Sequence, residues 1–114
     1  MSRGVWSIMN IFFVTVLHKL GNRRRCWGWY EKFEGAEKAV LENHTDIFEV
    51  GYYDLAVIEE YPEGVMSLPE KLWWYKATYP EGSTPEERLK IYPTVIKLAA
   101  TPSQFLGIIG LALG

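Results

Sequence analysis

The chain has little of what usually carries chemistry. It holds one cysteine, Cys26, and two histidines, His18 and His44, in 114 residues. One cysteine excludes an intrachain disulfide and a zinc site built on several thiolates. A lone thiol suits a reducing compartment, and the chain reads as cytoplasmic. There is no glycine-rich phosphate loop, nucleophile elbow or kinase-type motif, no internal repeat and no low-complexity stretch. A dominant charge is missing too: 12 Lys and Arg stand against 14 Asp and Glu, a formal net charge of −2 at pH 7. No global field therefore draws in a long nucleic acid. No apolar run reaches the roughly 20 residues that a membrane-spanning helix needs. Residues 5–17 come nearest, but Ser7, Asn10 and Thr15 interrupt them, His18-Lys19 ends them, and no small-residue cleavage site follows. The apolar tail, residues 105–113, is shorter still and contains Gly107 and Gly110. It is expected to dock on the core or on a partner chain.

What is present is aromatic. Phe, Trp and Tyr make up 15% of the chain, with 5 Trp and 7 Tyr, on an ordinary background of 48% hydrophobic and 23% charged residues. That background describes one globular domain rather than a disordered chain. Trp and Tyr pair a large apolar body with a polar tip and favour interfaces as well as cores. More rings are present than one helix-on-sheet core accommodates, so a surface role is expected for the remainder.

Residues 11–20 are apolar on both parities, as in a central strand buried on both faces. Gly21-Asn22 signals a hairpin turn into a return strand over residues 23–30. Strict alternation there puts Arg23, Arg25, Trp27 and Trp29 on one face. Residues 33–43 switch to helical spacing, with Phe33, Ala36, Ala39 and Val40 on one stripe. Residues 52–61 read as a third strand centred on Leu55-Ala56-Val57-Ile58, broken by Pro62-Glu63-Gly64. Residues 72–79 are a strongly β-prone fourth strand. Thr84-Pro85-Glu86-Glu87 is a capping box for a short helix. Residues 91–98 suit a fifth, edge strand with Pro93 near its start. The fold expected is α+β: a two-layer antiparallel sheet of 4–5 strands, ββαββ, with one main helix on one face and an irregular C-terminal arm. Met9 opens the domain cleanly. Residues 1–8 read as a leader or alternate-start segment, and residues 9–114 as a single domain with a core at 10–79 and an arm at 80–114.

Five groups of residues are candidates for chemistry or binding. Arginines beside indoles suit a nucleotide-like anion, since guanidinium forks grip phosphate and rings stack on bases. Arg25, Trp27 and Trp29 on one face, with Trp74 and Lys76 from the fourth strand, make the candidate ligand-binding set. The competing reading has the arginines at a solvated strand end, paired with the acidic third strand, and the tryptophans in the core; charge runs are more often solvated faces. Glu59 and Glu60 are adjacent on a strand and cannot converge on one atom. One of them is placed to pair with Arg23 or Arg25. His44, Asp46 and Glu49 lack any recognised ligand spacing, so no metal is expected. Cys26 next to Arg25 reads as a small packed residue rather than a nucleophile. The run Trp73-Trp74-Tyr75, with Tyr52-Tyr53, cannot bury every ring in one layer and is the best argument for an interaction surface.

Arg25-Cys26-Trp27-Gly28-Trp29-Tyr30, the helix from Phe33 to Asn43, Val57-Ile58-Glu59-Glu60 and Trp74-Tyr75-Lys76 resemble a group of small uncharacterised proteins of bacterial phages and mobile elements. The resemblance spans residues 10–79. It implies a chain that binds and blocks host factors, including defence proteins and nucleotide immune signals. The expectation is a non-enzymatic binding protein, a homo-oligomer with no cofactor, that sequesters a small anionic or nucleotide-like ligand. The alternative is an inhibitor or adaptor that grips a host protein through exposed aromatics. A small enzyme using Glu, His and Cys26 is the third reading.

Overall fold

The computed structural model describes residues 10–21, 23–62 and 69–106. Residues 1–8, which were expected to be a leader or alternate-start segment, Asn22 of the hairpin turn, the break at Glu63-Gly64 and the tail beyond Leu106 lie outside the described residues.

Five strands form one antiparallel sheet: β1 (Asn10–Leu17), β2 (Arg24–Tyr30), β3 (Leu55–Pro62), β4 (Lys71–Thr78) and β5 (Thr94–Lys97). Their order is β2-β1-β3-β4-β5. Helix α1 (Phe33–Leu41) covers one face, and α2 (Pro85–Arg88) is a single turn before β5. This is the α+β layering expected from hairpin, helix and hairpin in succession. Two of the three inner strands hold the runs that are apolar on both parities: Val14 to Leu17 on β1 and Leu55 to Ile58 on β3 are all buried. The third strand starts later than expected. Tyr52 and Tyr53 lie in a turn whose N–H groups both donate to the Glu49 carbonyl at 3.0 Å. Gly51 there has φ +86, a conformation few other residues adopt cheaply.

Val14, Val16, Ala56, Ile58, Tyr75 and Ala77 form the sheet side of the main core, and Ala36, Ala39 and Val40 form the helix side. Phe33 packs its ring on Trp73 at 4.4 Å and on Phe12 at 5.9 Å between centroids. One polar tie fixes the layers. The buried Tyr75 hydroxyl donates to Glu37 Oε2 at 2.6 Å, and Lys97 Nζ donates to the same oxygen at 2.9 Å. The Tyr75 bond, seconded by Lys97, holds the Glu37 carboxyl below its ordinary pKa of 4.5. A lowered carboxylate pKa contributes stability that is present above the unfolded value and is lost as pH falls through the folded value. Thermal stability is therefore expected to fall as pH drops below about 4.5, and Glu37→Ala should flatten that dependence. The variant also orphans the Tyr75 phenol, at a cost of about 1–3 kcal/mol near neutral pH. Melting curves from pH 7 to 3 check both effects.

The second face is closed at one end. Leu17, Leu55, Val57 and Trp74 form a smaller core beneath Phe105, whose ring stacks on Trp74 at 5.2 Å and 20°. The chain reaches there from β5: Leu98 N–H donates to the Trp74 carbonyl at 2.8 Å, and Gln104 Nε2 donates to the Lys19 carbonyl at 2.9 Å. Gly21, at φ +75, turns the first hairpin where a Cβ would stand 3.5 Å from the Phe105 ring. The C-terminal arm thus straps the sheet from the β5 edge to the β1–β2 turn. The first residue of the apolar tail, Phe105, docks on the core and covers this part of the second face.

Candidate functional site

The five residues expected to bind a ligand do not meet. β2 carries a bulge: Val14 pairs with Gly28 while Thr15 pairs with Cys26, so Trp27 is an extra residue and the alternation shifts by one. Arg25, opposite Val16, and Trp27 stay on the helix side, with the Arg25 guanidinium 5.4 Å from the Trp27 ring centre. Trp29 pairs with Phe13 on the other side, where it is 57% exposed. Trp74 is 2% exposed beneath Phe105, so its ring is already used. Lys76 is exposed on the second face opposite Leu55 and Ile96. β2 and β4 are also three strand spacings apart, roughly 14 Å. The single face of arginine and tryptophan is thereby corrected: a bulge, invisible to strict alternation, divides it.

The arginines take local partners. Arg23 donates to the Gly51 carbonyl at 3.1 Å and lies 5.0 Å above the Tyr52 ring. The expected pairing of Arg23 or Arg25 with Glu59 or Glu60 does not form. Glu60, on the helix side, accepts from Asn10 Nδ2 at 2.5 Å, and Glu59, on the second face, is fully buried. The two carboxylates diverge as the pleat requires. Burial and then Glu59 push the Tyr61 hydroxyl well above its ordinary range. The same forces raise Cys26: desolvation of its thiol first, with the Glu59 charge adding to it. Cys26 should thus react with a disulfide reagent at pH 7 no faster than a cysteine peptide, since the thiolate is the reactive form. Stopped-flow kinetics with Ellman's reagent measures this, and an accelerated rate would restore the nucleophile reading.

A groove of about 820 Å³ opens elsewhere, between the segment leaving α1 and the segment entering β5. Its first wall carries Glu42, Asn43, His44, Thr45, Asp46, Glu49 and Tyr52; its second runs from Arg88 to Pro93. Sequence shapes the first wall closely. Asn43 ends the helix at φ 49, and its side-chain oxygen accepts the buried Phe48 N–H at 2.7 Å. Thr45 and Asp46 follow at φ 50 and φ 59. Asn and Asp tolerate this left-handed region, but a β-branched Thr does not do so cheaply. The strain is held because the next two side chains, Ile47 and Phe48, are completely buried in the core. The second wall follows from a short helix. Thr84 and Glu87 make the reciprocal capping box the sequence announced, and α2 lasts one turn. Leu89, Ile91 and Tyr92 then fall between α2 and β5, with no element of their own to bury them.

The charges of the groove are divided by wall. Glu42, Asp46 and Glu49 stand on the first, and Arg88 and Lys90 on the second. None makes an ion pair with another described residue. Arg88 is partly committed, with Nε donating to Ser83 Oγ at 3.0 Å and the guanidinium 5.2 Å from the Tyr79 ring centre. No group of three or more His, Cys, Asp or Glu among the described residues is arranged to hold a metal ion. No helix among the described residues is long and apolar enough to cross a membrane.

Comparison of the chain with protein-family models, curated proteins and solved structures gives no match. Tyr92, Leu89 and Ile91 were not among the candidates taken from sequence. The available signal was Leu89-Lys90-Ile91-Tyr92 itself, an apolar-rich stretch caught between a one-turn helix and Pro93. Reading residues 91–98 as a strand hid it, because a strand would have given Ile91 a face to lie on.

Proposed function

We propose that this chain is a non-catalytic binding protein that grips another protein through the groove between residues 42–52 and 88–93. One observation carries the reading. Nine large apolar side chains stand exposed among the described residues, and four of them, Tyr52, Leu89, Ile91 and Tyr92, line this groove. Scattered exposed apolar residues need no explanation, but a convergent set with tyrosine and arginine is the composition of an interface. Tyr92 is 85% exposed and Leu89 71%, so both project outward rather than enclosing a small molecule. Small-ligand sites instead bury most of their occupant. A nucleotide-like anion finds weaker support here, because three carboxylates share the groove with Arg88 and Lys90 and the Arg/Trp set is dispersed. The resemblance to phage and mobile-element proteins makes a bacterial host protein the expected partner, with obstruction of that protein as the effect.

Affinity capture from bacterial extract tests the reading, with the whole chain as bait. A stoichiometric protein retained by wild type and by Arg25→Ala/Trp29→Ala, but lost with Leu89→Ser/Tyr92→Ser, supports it. Retention that ignores the groove variant, or no specific protein at all, overturns it.

A further inference from the structure

The divided charges of the groove also say what kind of segment fits it. We propose that the occupant is a partner segment of mixed charge, with a basic residue turned to the Glu42/Asp46/Glu49 wall, an acidic residue turned to Lys90, and an apolar side chain between them on Tyr52, Ile91 and Tyr92. This rests on the groove being the partner surface. Exposed opposite charges gain little from pairing with each other and remain available to a ligand. Here carboxylates and cations line one cavity of about 820 Å³ from two walls without pairing among the described residues. In the free chain the three carboxylates and Lys90 are exposed and hydrated, and a ligand of mixed charge matches both walls at once. A purely anionic segment meets three carboxylates, and a purely cationic one meets Arg88 and Lys90, so each is repelled from one side. Like-charge juxtaposition of this kind selects against wrong partners more strongly than the matched pairs add affinity. Arg88 already spends its guanidinium on Ser83 and Tyr79, which leaves Lys90 as the cation for the ligand's carboxylate.

The test uses the full chain, labelled with 15N, and three capped synthetic peptides. Each peptide has a Leu-Phe centre; one is flanked by Lys and Glu, one by two Lys, and one by two Glu. The mixed peptide should shift amide resonances of residues 43–52 and 88–92 and bind on the order of fivefold more tightly than either control, with the advantage fading as salt is raised. Lys90→Glu should transfer the preference to the two-Lys peptide. Equal affinities, a preference for a single sign, or no shift in the groove with any peptide would overturn the proposal. The two readings fail separately: if Leu89→Ser/Tyr92→Ser abolishes partner capture while Lys90→Glu leaves it intact, the groove stands as the surface and its charge selection falls.

Discussion

Phe105→Ala is expected to destabilise the chain by about 3–5 kcal/mol, the usual cost of deleting a buried phenyl ring. For a domain of this size that lowers the melting temperature by roughly 10–20 °C. The ring is 3% exposed and stacked on Trp74, and it is the buried anchor of the arm between Leu98 and Leu106. The other anchor seen at this end is the exposed hydrogen bond from Gln104 to the Lys19 carbonyl. Removing the ring leaves a cavity over Trp74 and uncovers Leu17, Leu55 and Val57 as well. Calorimetry gives the magnitude, and the Trp74 indole N–H resonance reports the local exposure. Phe105→Leu keeps most of the apolar area and should cost much less. Equal losses from the two variants, or no loss from either, would mean the arm does not hold the second face.

Tyr92→Ala should leave stability within about 0.5 kcal/mol of wild type, because an exposed side chain loses little on truncation. It should nevertheless weaken partner binding by roughly 30-fold, the scale of an interface hot spot. Separating the two effects is informative, since a groove that merely supported the fold would show both together. Arg25→Ala and Trp29→Ala should leave binding within about twofold, as their side chains lie on opposite faces of β2 and away from the groove. Titration calorimetry on the captured partner, with melting curves of each variant, separates these outcomes.

Much of the fold was legible because it rests on local signals that tertiary context does not override. The hairpin, the helix with Ala36, Ala39 and Val40 inward, the doubly buried β1 and β3, and the capping box at Thr84 and Glu87 all appear where their residue patterns point. The Trp73-Trp74-Tyr75 run did need two layers: Trp73 and Tyr75 pack toward α1, and Trp74 packs beneath Phe105. The inference that rings exceed the main core was therefore sound: Trp29 and Tyr52, both singled out from sequence, stand exposed, whereas Trp74 does not. The C-terminal arm supplies a second core that takes Trp74, while Tyr52 and Tyr92 remain exposed on loops. An arm without periodicity gives no warning that it will cover a face.

The five candidate residues are dispersed for a different reason. A bulge at Cys26 to Gly28 turns on the pairing of β2 with β1, and neither strand encodes it alone. One extra residue moves every later side chain to the other face, which is why Trp29 parted from Arg25 and Trp27. The groove was hidden for a similar reason, since its walls are 40 residues or so apart in sequence and meet only when β5 adds to the sheet edge.

The groove's role is tested most directly by photo-crosslinking in living bacteria, with a benzophenone amino acid replacing Tyr92 in one chain and Trp29 in another. The account predicts one discrete covalent adduct with a different protein from position 92 and none from position 29. An adduct from position 29 alone, or from position 92 only with a second copy of this chain, would contradict it.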